Sequence, residues 1–291
     1  MKTAGITIIA LMLSAQLMAQ NGNSNTRRAA QSSAATETKS EGNGQQLTVP
    51  LSDPGKPFKL NVDLTSGSIK VSVYEGRDVV IDVTSPERGK KHADRESNGM
   101  RRLSGGDNLD VVAREKNNVV TIGSDMPSTP VMINIKVPQG ATNVKLRTVN
   151  DGDIVASNLS GQIEAQNTNG SIELKEVSGS VVANTTNGKV IVTFKSMDNK
   201  APMAFTSFNG NVDVTLPAGT KANVKARSDM NNVFSDFEFA SEPSQAKTSK
   251  SAKDGMYRLT VEDWITGKIG GGGPEFLFKT FNGNIYIRKA K

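Results

Sequence analysis

Two aspartates bracket a glycine in Asn150-Asp151-Gly152-Asp153, and glutamates follow at Glu164 and Glu173. Paired carboxyls about 5 to 9.5 Å apart are what glycoside hydrolysis requires. The surrounding alternation separates these acids: Glu173 falls in a column with Val155 and Ile191, whereas Glu164 falls beside Val182 on another face. Asp151 and Asp153 could share an acidic corner, yet turn chemistry alone accounts for both. His92 is the single histidine and sits in a charged run, poor material for a hydrolase triad. Residues 267–274, "GKIGGGGP", lack the Gly-Lys-Ser/Thr ending of a phosphate loop. Without cysteine there is no thiolate metal site and no disulfide framework. The expectation is a protein that is not an enzyme, with no catalytic residue, no cofactor and no metal.

The elements that position these acids come from a repeat. In "NTNGSIELKEVSGSVVANTTNGKVIV", residues 167–192, a glycine returns every nine residues and Asn-Gly every eighteen. Each unit reads as a small polar residue, a glycine, then apolar residues two apart, which lie on one face of a strand. Glycine supplies a tight corner, and the Asn, Asp or Ser before it is expected to bond its own local backbone. The corners are Gly67, Gly152, Gly161, Gly170, Gly179, Gly188, Gly210 and Gly283. A calcium-binding β-roll is excluded, because that repeat needs Gly-Gly-x-Gly-x-Asp.

Asn-Gly between alternating strands is also a hairpin signal. A hairpin at Asn169-Gly170 would set Ile172 against Asn167, and one at Ser178-Gly179 would set Val181 against Glu176. Coils of about 18 residues instead stack Ile154 on Ile172 and Val190, Ala156 on Leu174 and Val192, and Ile163 on Val181. The expectation is therefore an all-β, parallel β-solenoid (β-helix-like) with Asn-Gly and Ser-Gly corners. Further rungs start at "LTSGSIKVSV" (64–73), "SFNGNVDVTL" (207–216) and "TFNGNIYIRK" (280–289). A second echo relates "VPQGATNVKLR" (137–147) to "LPAGTKANVKAR" (216–227). Residues 85–107 and 228–256 break the rhythm and read as loops or short helices. Phe276, Phe278, Phe281 and Tyr286 make the last rung aromatic, as suits a cap over a solenoid end.

The start of the chain sets the compartment. Lys2, the apolar run Ile6–Leu13 and Leu17-Met18-Ala19 read as a signal peptide, residues 1–19, with mature chain from Gln20. Residues 20–46 hold no aliphatic side chain larger than alanine and read as a disordered polar leader. Residues 47–291 form the solenoid domain. No stretch reaches the roughly 20 apolar residues of a spanning helix. The formal charge is +6, of which Lys2 carries the only charge in residues 1–19, leaving +5 for the mature chain. A surplus that small is no nucleic-acid footprint unless clustered. The one dense cluster, residues 87–102, mixes six Arg or Lys with three acids and reads as a solvated loop.

The units "SGSI", "NGSI", "SGSV" and "NGKV", with "GGGGPEFLFKTFNGNIYI" at 270–287, resemble the bacterial putative-adhesin family, a β-strand-repeat domain. The resemblance implies an exported solenoid with a cell-envelope or adhesive role, and supplies no catalytic residues. The expected function is a binding or structural module in the periplasm, on the cell surface or outside it, contacting a glycan, extracellular matrix or an envelope protein. Ser157, Gln166, Lys175, Asn184 and Thr193 form the candidate binding face. The alternatives are a carbohydrate-active β-helix enzyme and a periplasmic scaffold.

Overall fold

The computed structural model describes residues 36–39, 45–84, 110–124, 129–238, 240–242, 247–253, 256–262 and 264–291. The signal peptide, most of the polar leader and the charged segment 87–102 with His92 lie outside the described residues. The compact unit of interest runs from Ala35 to Lys291.

Among the described residues every regular element is a strand. In chain order they begin with β1 (Thr36–Lys39), β2 (Gln45–Val49), β3 (Phe58–Tyr74), β4 (Val79–Thr84), β5 (Val112–Lys116) and β6 (Val119–Gly123). The middle of the chain holds β7 (Val131–Pro138), β8 (Ala141–Asn150), β9 (Ile154–Ser157), β10 (Ser160–Asn169), β11 (Ile172–Asn187) and β12 (Val190–Met197). There follow β13 (Met203–Asn209), β14 (Val212–Leu216), β15 (Ala222–Ser228), β16 (Val233–Ser235), β17 (Ala240–Glu242), β18 (Lys247–Lys253) and β19 (Met256–Glu262). The last are β20 (Ile265–Ile269), β21 (Glu275–Asn282) and β22 (Ile285–Lys289). Two expectations change here. Thr36–Lys39 of the polar leader pairs antiparallel with β2, because ladder hydrogen bonds use backbone and need no apolar side chain. Residues 228–256 contain β16, β17 and β18 in place of loops or helices.

The rungs build two faces. On the first, parallel neighbours run β6, the first half of β3, β8, β10, the second half of β11, β13, β21 and β15. On the second they run β7, the second half of β3, β9, the first half of β11, β12, β14, β22 and β16. Strands β3 and β11 turn a corner without interruption and so serve both faces. Antiparallel strands close three of the four sheet ends: β5 on β6, β4 and β2 on β7, and β20 and β17 on β15. Parallel pairing of β9, β11 and β12 removes the hairpin alternative, and Ile154, Ile172 and Val190 share one column.

Rung order departs from chain order at two places. Val137-Pro138-Gln139-Gly140 carries the chain from β7 to β8, yet the rung between those strands is β3. Leu216-Pro217-Ala218-Gly219 carries it from β14 to β15, and the rung skipped there is β21–β22. The two echoed Pro-Gly segments are therefore crossovers that each leave a slot. Strand β3 fills the first slot, and β21 with β22 fills the second. This corrects the expectation that the last rung in sequence is a cap. Phe276 and Phe278 are fully buried because rungs cover them on both sides, and Phe278 stacks on Phe205 with centroids 5.2 Å apart.

Candidate binding surface

The corners are held by three nested columns. A Cβ on Gly170, Gly188, Gly210 or Gly283 would lie about 2 Å from the carbonyl oxygen of the preceding glycine of its column, so only hydrogen allows the rungs to close. Gly67 and Gly152 begin that column, while Gly161 and Gly179 form a second one at the opposite corner. Beneath the first column lies a line of buried polar side chains. Thr148 donates to Gly67 O at 2.7 Å, Asn167 to Gly152 O at 3.0 Å, Thr185 to Gly170 O at 2.8 Å and Ser207 to Gly188 O at 2.8 Å. Thr280 and Ser228 continue it onto Gly210 and Gly283. Outside runs an asparagine ladder, in which Asn169 donates to Asn150, Asn187 to Asn169 and Asn209 to Asn187, at 2.8 to 2.9 Å. These amides bond the neighbouring rung, not their own turn as the sequence suggests. The buried Thr or Ser three residues before the glycine was missed, although Thr185, Ser207 and Thr280 carry it openly in "TTNG", "SFNG" and "TFNG".

The acids take separate structural partners. Asp151 accepts from the Ser66 hydroxyl at 2.7 Å and Asp153 from the Ser171 amide at 2.6 Å. Glu173 pairs with Lys175, and Glu164 with Lys145. Among the described residues, no group of three or more His, Cys, Asp or Glu could hold a metal.

The five candidate binding residues divide between the faces. Gln166 and Asn184 are neighbours on the first, whereas Ser157 pairs with Lys175 and Thr193 with Thr215 on the second. On the first face the outward column Asp63, Arg147, Gln166, Asn184 runs beside the column Asn61, Lys145, Glu164, Val182. These columns line a surface groove of about 330 Å³ that includes Asn61, Asp63, Lys145, Arg147, Glu164 and Gln166. A second hollow of about 350 Å³ shares Asp63, Thr121 and Arg147 with it and adds Arg114. The two make one trough, with charged and amide side chains among its lining, crossing β6, β3, β8 and β10. Arg147 bridges to Asp63 at 3.2 Å, Lys145 to Glu164 at 3.2 Å, and Gln166 donates to Glu164 at 2.7 Å. Exposed pairs of this kind are worth about 0–1 kcal/mol, so a ligand's polar groups can displace them cheaply. Arg114 is exposed and has no ion-pair partner among the described residues.

The aromatic residues outside the core form ladders of their own. Phe208 and Phe281 stack with centroids 4.8 Å apart and planes 3° from parallel, while 50% and 41% exposed. Phe234 stacks on Tyr286 at 5.2 Å. Stacking along the column sets ring against ring across neighbouring rungs, so these pairs tie rungs together. Trp264 lies under Lys225, whose ammonium is 4.5 Å from the ring centroid.

A family model described as Toastrack DUF4097 matches residues 18–263. Among solved structures, the chain is similar to the crystal structure, at 1.95 Å resolution, of a putative cell adhesion protein from Clostridium sporogenes ATCC 15579. The likeness has 12% identity and a TM-score of 0.40, and covers 85% of this chain and 100% of that one. No curated protein matches. Among the described residues, no helix is long and apolar enough to cross a membrane.

Proposed function

The chain belongs to the Toastrack DUF4097 family, and from that premise we propose that it is an exported, non-enzymatic binding module of the cell envelope that holds a hydroxyl-rich glycan strand along its first face. Its scaffold is a solenoid with coils of about eighteen residues turned at Asn-Gly and Ser-Gly corners, and rungs repeated at the strand spacing offer the ligand repeated contacts. The trough on the first face carries this reading. It is open, crosses four strands, and presents amides, guanidinium groups and carboxylates whose mutual pairing costs little to exchange. Asn61 and Gln166 supply donors and acceptors, and Arg147 donors, along its length.

The test is calorimetric titration of the full chain with purified envelope polysaccharide, beside Arg147→Ala with Gln166→Ala, and Lys175→Ala on the other face. Loss of about tenfold in affinity for the first variant only, equivalent to about 1.4 kcal/mol, is the expected result. Absence of glycan binding by the unaltered protein, or equal loss on both faces, removes the trough as the site. Protease treatment of intact cells, with lysed cells as control, checks export to the surface: digestion only after lysis places the protein inside the envelope.

A further inference from the structure

Four Asn-Gly pairs among the described residues occupy equivalent corners, at Asn169, Asn187, Asn209 and Asn282. Asn-Gly is the dipeptide in which a backbone nitrogen most easily reaches a side-chain amide, because glycine places no Cβ in its way. Three of the four are locked twice. The Asn169, Asn187 and Asn209 side chains each donate to the amide of the preceding rung. The nitrogens that would attack them are also engaged: Gly170 N donates to Asn187 O, Gly188 N to Asn209 O and Gly210 N to Asn282 O, each at 2.9 Å.

At the fourth corner both locks are missing. Asn282 stands in register with Asn209, yet its exposed side chain makes no hydrogen bond to it, and Gly283 N donates to no group among the described residues. The missing backbone lock has a topological reason. The rung beyond β21 is β15, and the chain there continues through Asp229 and Met230 where the other rungs have a further Asn-Gly. The asparagine ladder stops one rung short of its own register.

We propose that Asn282 is a self-modification site, the point in this corner column where the protein deamidates, while its three equivalents are protected by the fold. Gly283 N attacks Cγ of Asn282, a carbon–nitrogen bond forms, and the side-chain nitrogen leaves as ammonia carrying the Gly283 amide proton. Solvent water then opens the resulting succinimide at either carbonyl, giving aspartate or isoaspartate. No oxidant or cofactor enters. The product carries a new negative charge facing the Asn209 amide. In the isoaspartate form it also carries an extra backbone methylene in the rung that fills the C-terminal slot, so the modification loosens the stitch between β13–β14 and β15–β16.

Trypsin places each corner in its own peptide, residues 148–175, 176–189, 201–221 and 280–288, so one digest reads all four rates. The full chain is incubated at mildly alkaline pH and mapped by mass spectrometry, beside a sample held in denaturant. The expected result is conversion of the 280–288 peptide about tenfold or more faster than the others in the folded protein, and similar rates for all four in denaturant, because protection requires local opening. Equal rates in the folded protein, or Asn282 among the slow sites, overturns the proposal. The variant Asn187→Ala supplies a second reading. It removes the donor onto Asn169 and the acceptor of Asn209 without touching either Asn-Gly, so conversion at Asn209 rises, and an unchanged Asn209 rate shows that the ladder is not the lock.

Discussion

The side-chain nitrogen of Asn167 donates to the carbonyl of Gly152 at 3.0 Å, while the amide oxygen of the same residue is buried without any partner. The equivalent residues Thr148 and Thr185 bond their glycines through a hydroxyl and leave nothing unsatisfied. A stranded polar atom costs about 1–3 kcal/mol. Asn167→Thr therefore stabilises the protein by about 1 kcal/mol and raises the thermal midpoint by about 2–4 °C. A lower midpoint shows that the amide finds a compensating partner.

Gly188 and Gly219 separate corner glycines from ordinary ones. A Cβ at Gly188 would stand 2.1 Å from the Gly170 carbonyl oxygen, against backbone that two ladders hold in place, whereas one at Gly219 meets nothing within 4 Å. Gly188→Ala is expected to cost more than about 3 kcal/mol, and Gly219→Ala less than about 0.5 kcal/mol. Denaturant midpoints of the two variants decide the matter, and equal values contradict close rung contact at the corner.

Removing residues 275–291 empties the slot between β14 and β16. Phe276, Phe278, Ile285 and Ile287 are buried there, at about 1.5–3 kcal/mol each, a sum comparable with the 5–15 kcal/mol that holds a whole domain. The truncated chain is expected to lose protection of amide hydrogens across β13 to β16, and a synthetic peptide of residues 275–291 to restore it. Retained protection without the peptide means that β14 and β16 close directly on each other.

Tyr74 donates its hydroxyl to the Asp78 carbonyl at 2.7 Å, and burial raises its pKa above the usual tyrosine value. The folded state therefore holds the phenolic proton more tightly than the unfolded chain. That contribution is complete below about pH 10 and is lost as pH climbs through the folded-state value. Tyr74→Phe should be less stable than the parent by about 1 kcal/mol at neutral pH, with the gap closing in alkali. A constant gap across the range removes Tyr74 from the alkaline transition.

Much of the scaffold was legible because a solenoid writes its three-dimensional neighbours at a fixed distance along the chain. Ile154, Ile172 and Val190 could be placed in one column without coordinates. The trough was not legible. Asp63 and Arg147 meet across β3 and β8, which the repeat does not count together. The five proposed surface residues fall on two faces because they are nine residues apart, half a coil, so that successive members change face.

By itself, the sequence determined the all-β alternation of the strands, which follows from local residue type and period. Only the tertiary structure decided the order of the rungs. The Pro-Gly segments after Val137 and Leu216 turn alike in sequence, and each skips a rung because another part of the chain already occupies the space beside it. Which part occupies it depends on the competition of distant strands for one pair of open edges. That competition is settled by the burial of side chains such as Phe276 and Phe278, whose partners lie on the two rungs that enclose them and not beside them in the chain.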